Sequence, residues 1–106
     1  MYLQSIEIKG AKYKIYQEDI GPGIDGLCYK DKKKIIISSR LKNSEFVGVL
    51  AHEIAHGLIH EIFLDQNLDD TQEEMICEMV NYLVSNFLDF CTEIQLMVDE
   101  IENKLT

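Results

Sequence analysis

The spacing of apolar residues changes once along the chain, near residue 40. Before that point apolar and polar residues interleave over short segments. "LQSIEIK" carries Leu3, Ile6 and Ile8, and "KYKIYQ" carries Tyr13 and Ile15 between polar neighbours. A period near two is what a strand with one buried face requires. Two shorter segments, "GLCYK" and "KIIISS", are joined across Asp31 to Lys33 and predict a hairpin. Gly10 and the run "GPGIDG" at 21–26 punctuate the strands as turns.

After residue 40 the period becomes helical. "NSEFVGVLAHEIAHGLIHEIFL" sets Phe46, Val49 or Leu50, Ile54, Leu58 and Phe63 along one stripe, begun by Asn43 or Ser44 as cap. "LDQNLDD" breaks that helix. Thr71, followed three residues later by Glu74, has the form of a capping box, so a second helix is expected from there to about Phe90. Ile94, Met97 or Val98, Ile101 and Leu105 predict a C-terminal amphipathic helix that closes the core. The expected fold class is α+β: a single domain over 1–106, β-rich over 1–40 and helical over 41–106, with a short twisted sheet packed on the helices.

Composition narrows the function classes. With 106 residues and 46% apolar content the chain has material for one small core. A net charge of −9 argues against nucleic-acid binding, because phosphate contacts need clustered Lys or Arg. The one basic cluster, "KDKKK" at 30–34, reads as a solvated hairpin turn. No run approaches the roughly 18 apolar residues that span a bilayer, and "MYLQSIEIKG" lacks the apolar stretch of a secretory signal, so a cytoplasmic location without membrane contact is expected. Cys28, Cys77 and Cys91 are odd in number and have no C-x-x-C spacing, which fits reduced thiols.

The chemistry is concentrated in "LAHEIAHGLIHEI" at 50–62, which holds all three histidines. On a helix His52 and His56 stand one turn apart on one face, so both imidazoles can reach one ion at about 2.0–2.1 Å. Glu53, about 100° around the helix from His52, is placed to lean over that ion as a general base. A carboxylate there takes a proton as water attacks a polarised carbonyl. Buried imidazoles among these apolar neighbours would otherwise lack an obvious partner. His60, a further turn along, is expected to donate a hydrogen bond to a metal ligand or to lie at the surface, because each i,i+4 step climbs about 6 Å and drifts roughly 40°. Gly57, unfavourable by about 1 kcal/mol relative to Ala in a helix, points to another element passing close by.

A third ligand has to come from the second helix, where Glu73, Glu74, Cys77 and Glu78 are candidates. Glu74 has a capping role to fill and Glu73 suits the helix dipole, so Glu78, flanked by Cys77, Met79, Val80 and Tyr82, is the preferred ligand; Glu74 and Cys77 remain alternatives. Tyr82 reads either as a packed core tyrosine or as a donor to an oxyanion. Cys28 and Tyr29 fall near a sheet edge that would line a substrate groove.

"LAHEIAHGLIHE", preceded by "KIIIS" and followed by "EEMICEMVNYLVSNFLDF", resembles the small phage-type members of the ImmA/IrrE-like metallopeptidases, within the gluzincin branch of the zincins. The likeness extends over most of the chain, departing at Asn81 and Tyr82, where the family often has alanine and asparagine. It implies a zincin-like fold and a zinc ion held by His52, His56 and Glu78, with Glu53 as base. It also implies a peptidase acting on a polypeptide such as a transcriptional repressor or another regulator of a phage or mobile element. The rival expectation is a non-catalytic interaction module of a phage or mobile element that keeps zinc for structure.

Overall fold

The computed structural model describes residues 1–63 and 68–105, the side chains of Phe63 and Leu88 excepted. Strands β1 (Tyr2–Ile8), β2 (Ala11–Glu18), β3 (Gly26–Tyr29) and β4 (Lys34–Ser38) precede helices α1 (Asn43–Phe63), α2 (Asp70–Ser85) and α3 (Phe87–Leu105). The fold class is mixed α+β, as the change of period requires.

The sheet has the order β1-β2-β4-β3. Lys9 and Gly10 join β1 to antiparallel β2 with positive φ at both residues, 49° and 85°, and Ile8 pairs with Ala11 across the turn. Two consecutive positive φ values match the twist of flanking strands in a two-residue hairpin. β3 and β4 form the second hairpin, across the basic turn. β4 then pairs parallel with β2, Ile35 against Ile15, which the local patterns did not foretell. As an inner strand with neighbours on both sides, β4 buries Ile35, Ile36, Ile37 and Ser38 in succession.

One face of the sheet supports α1. Ile8, Tyr13, Ile15, Ile35, Ile37 and Leu41 form a buried cluster against which Phe46, Val49, Leu50 and Ile54 of α1 pack. Gly57 has the close neighbour its position implied: a Cβ there would lie 3.2 Å from both the Ile8 Cδ1 and the Tyr13 Cε2 atoms. Across α1, Ala55 and Ile59 enclose Cys77 of α2 in a second buried cluster. Helices α1 and α2 approach closely at Gly48, where a Cβ would fall 2.3 Å from Ser85 Oγ and 2.4 Å from Asn81 Oδ1.

Three expectations about the helices are corrected. The cap of α2 is Asp69, whose side chain accepts from the Gln72 N–H at 2.8 Å while the Gln72 side chain accepts from the Asp69 N–H. Thr71 and Glu74 therefore lie inside the helix and Glu74 has no capping task. α2 ends at Ser85, and α3 starts at Phe87 rather than near Ile94. α3 does not close the core: Ile94, Met97, Ile101 and Leu105 are all exposed, and its main contact is with α2. The break expected over 64–70 and the place of the Phe63 side chain fall wholly or partly outside the described residues.

Among the described residues no helix is long and apolar enough to cross a membrane.

Candidate metal centre

His52 and His56 project from the same side of α1 with ring centroids 5.0 Å apart, as their i,i+4 spacing dictates. The face they occupy is covered by the first three turns of α2. The Glu74 carboxylate meets the Nε2 atoms of both rings, Oε1 lying 2.8 Å from His52 and Oε2 lying 3.2 Å from His56. The Nδ1 atoms have separate partners. Glu78 Oε1 is 2.8 Å from His52 Nδ1, and Glu73 Oε2 is 2.5 Å from His56 Nδ1.

These contacts change the weight of each candidate on α2. The Glu78 side chain is 64% exposed despite its apolar neighbours in sequence, and its carboxylate is held by His52. Glu74 is 56% exposed, at the mouth of the site. Glu73 does more than offset the helix dipole. It also accepts a hydrogen bond from Lys30 Nζ at 2.7 Å, tying the β3–β4 turn to the histidine face. Burial alone would raise the Glu73 carboxyl, but the hydrogen bonds from Lys30 and His56 outweigh it and hold it below the usual carboxylate range.

Glu53 is buried beside His52, its Oε2 4.0 Å from Nε2. Loss of water around it pushes its pKa up to about 7. The neighbouring His52 opposes that rise, and the Glu74 and Glu78 charges add to it. Gly26, the first residue of β3, faces this carboxylate; a Cβ there would lie 2.9 Å from Val49 Cγ1 and 3.0 Å from Glu53 Oε2. Between β3 and the helices lies a cleft of about 300 Å3, bordered by Asp25, His52, Glu53, Glu74, Glu78 and Asn81.

Two sets of donor atoms lie mutually within 4.8 Å: His52 with Glu74 and Glu78, and His52 with His56 and Cys77. Buried His52 together with His56, Glu74 and Glu78 can therefore hold a metal ion. Imidazole nitrogens and carboxylate oxygens suit zinc, and ligand atoms of a tetrahedral zinc ion sit roughly 3.3 Å apart, near the separations between Glu74 and the two Nε2 atoms. Cys77 is wholly buried beneath the two rings, and burial, reinforced by Glu73 and Glu74, pushes its thiol up to about 12.

The remaining expected residues are not brought to this cluster. His60 is half-buried and belongs to neither donor set among the described residues. Tyr82 is 67% exposed, so it is not a packed core tyrosine; its ring stands 6.4 Å from that of Phe90, away from the cleft. Cys28 does lie on edge strand β3, half-buried, with its thiol raised to about 12 by burial and by the Glu53 charge. The basic turn is only partly a solvated feature, since Lys30 pairs with Glu73 and Lys33 with Glu61. Neither pairing has a sequence signal, because 43 and 28 residues separate the partners.

No protein-family profile, curated protein or solved structure matches the chain.

Proposed function

We propose that the protein is a zinc-dependent peptidase. The observation that carries this reading is the facing of one carboxylate, Glu74, toward both Nε2 atoms while Glu78 and Glu73 hold the opposite nitrogens. Carboxylates on the far nitrogens of metal-binding histidines fix tautomer and ring orientation and raise ligand basicity. The reading takes His52 and His56 with a carboxylate of α2 as ligands: Glu74 is preferred because its two oxygens face the two Nε2 atoms, and Glu78, which shares a donor set with His52 and Glu74, is the alternative. With Glu74 as the ligand, Glu78 orients His52.

Zinc held there supplies a Lewis acid for the substrate carbonyl and makes water more acidic. The protein's own part is placement and proton transfer. Glu53 takes a proton from the water that attacks the scissile carbonyl and returns it to the leaving amine nitrogen. Among the described residues β3 is an outer strand paired only with β4, so its other edge can hold an extended polypeptide by main-chain hydrogen bonds beside Glu53. Gly26 lets β3 lie close against Val49 and Glu53 of α1. A regulatory protein such as a repressor of a phage or mobile element is the proposed substrate class, resting on the sequence resemblance alone.

The test is to load the purified chain with zinc and incubate it with a peptide library and with repressor-type proteins, beside Glu53→Gln. Zinc-dependent cleavage lost in the variant supports the reading, and absence of cleavage in zinc-loaded protein counts against it.

A second reading, a non-catalytic zinc-holding interaction module, is favoured by one observation: Cys77 completes a donor set with both histidines. A thiolate in the fourth position would close the site to water. Cobalt substitution separates the two, because a sulfur ligand adds an intense near-ultraviolet charge-transfer band that nitrogen and oxygen ligands do not.

A further inference from the structure

The metal centre leaves α3 unused. Phe87, Ile94, Met97, Val98, Ile101 and Leu105 fall within an arc of about 100° on this helix. Phe87, Ile94, Met97 and Ile101 are 56–58% exposed and Leu105 is 81% exposed. Residues 87, 94 and 101 recur every seven positions, with Met97 between the last two, which is the spacing of a helix that pairs along a seam. Nineteen residues make a rod of about 28 Å, a large part of the 55 Å long axis of the molecule, and its main contact is with α2.

We propose that α3 pairs with α3 of a second copy of this chain, the two helices running parallel about a two-fold axis. The stripe and its immediate margins expose on the order of 700 Å2 of side chain, close to the roughly 800 Å2 per partner of a standard interface and above what a monomer usually leaves bare. A two-fold interface needs a self-complementary patch, and one apolar stripe against its own copy supplies it.

The flanking charges select the direction. Glu93, Glu100 and Lys104 lie along one margin of the stripe; Cys91, Gln95 and Glu102 lie along the other. In a parallel pair each margin meets the opposite margin of the second copy, so Glu93 faces uncharged residues, and Glu102 comes near both Glu100 and Lys104, which pair with each other at 3.4 Å within one helix. Antiparallel pairing sets the Glu93 and Glu100 margins of the two copies against each other. Like charges at such positions decide helix orientation.

The proposal is tested by sedimentation equilibrium of the full chain across a dilution series. A monomer–dimer equilibrium is expected that tightens as salt is raised, since each copy carries a net charge of −9. Ile94→Glu with Ile101→Glu should weaken dimerisation by about a hundredfold or more, because buried unpaired carboxylates are costly. Leu96→Glu, on the opposite side of the helix and already 63% exposed, should leave it intact. Circular dichroism checks that the variants remain folded. Ile101→Cys in a Cys91→Ser background should give a disulfide-linked dimer on mild oxidation, because parallel pairing brings the two 101 positions together. A chain that is monomeric throughout, a dimer that survives the double Glu variant, or a failure of position 101 to cross-link would each overturn the proposal.

Discussion

The Glu74 carboxylate lies 2.8 Å from His52 Nε2, although the two residues stand on different helices and are 22 positions apart in the chain. Glu78, one turn further along α2, meets the other nitrogen of the same ring at 2.8 Å. Two similar carboxylates on one helix face thus have different neighbours, and the difference is measurable.

If the proposed centre is right, Glu74→Ala abolishes tight zinc binding by removing one of its three ligands, whereas Glu78→Ala weakens zinc about 10–100-fold by releasing the His52 ring. Zinc titration of both variants against a fluorescent chelator checks this. Strong loss in Glu78→Ala with retention in Glu74→Ala would return the third ligand to position 78.

Glu53→Gln should keep zinc stoichiometry and melting temperature while lowering hydrolysis about 100- to 10,000-fold, the range for loss of a positioned base. Elemental analysis and peptide cleavage measured on one preparation are sufficient. Cleavage within a few fold of wild type would assign proton transfer to another group.

Among the described residues Lys30 is hydrogen-bonded to the site through Glu73. Lys30→Met should therefore loosen the Glu73 carboxylate at His56 Nδ1 and weaken zinc by up to about tenfold, and Glu73→Gln by more, within the usual range for outer-shell partners. Zinc affinity measured at low and high salt tests the order of the two effects; an unaltered affinity in Glu73→Gln would remove it from the centre.

Glu61 joins Tyr13 and Lys33 at the far end of α1, and the hydrogen bonds from Lys33 and Tyr13 hold its carboxyl below the usual range. A depressed carboxyl stabilises the folded state above its unfolded pKa of about 4.3, and that contribution is lost as pH falls through the folded value. Wild type should thus melt above Glu61→Gln at pH 7, with the gap closing below about pH 4. A gap independent of pH would mean that the ionised carboxylate is not the source of the stabilisation.

Gly48→Val should lower stability by about 1–3 kcal/mol, because its side chain would meet Asn81 and Ser85 where α1 and α2 approach. The same separation would carry His52 and His56 away from α2, so zinc affinity should fall with stability. Chemical denaturation of the apo protein and zinc titration together check both; a fully stable variant with native zinc affinity would show that the helices can part there freely.

The shared face of His52 and His56 was legible because helix spacing is local: residues one turn apart lie on one side whatever the rest of the chain does. The strand-to-helix change and the Lys9–Gly10 and 30–33 turns were legible for the same reason. The placing of Glu73, Glu74 and Glu78 against the two rings was not, because it depends on how α2 is rotated and shifted against α1. That setting comes from Cys77 buried against Ala55 and Ile59, and from the close approach at Gly48. Two overlapping capping patterns, Asp69 with Gln72 and Thr71 with Glu74, share the chain there, and only the folded helix selects the first. The parallel pairing of β2 with β4 joins distant segments and left no local trace. Periodicity likewise made α3 amphipathic without saying what its stripe would meet. An apolar face specifies burial, but the partner is chosen by the arrangement of everything else, and here the described residues of the same chain leave that face exposed.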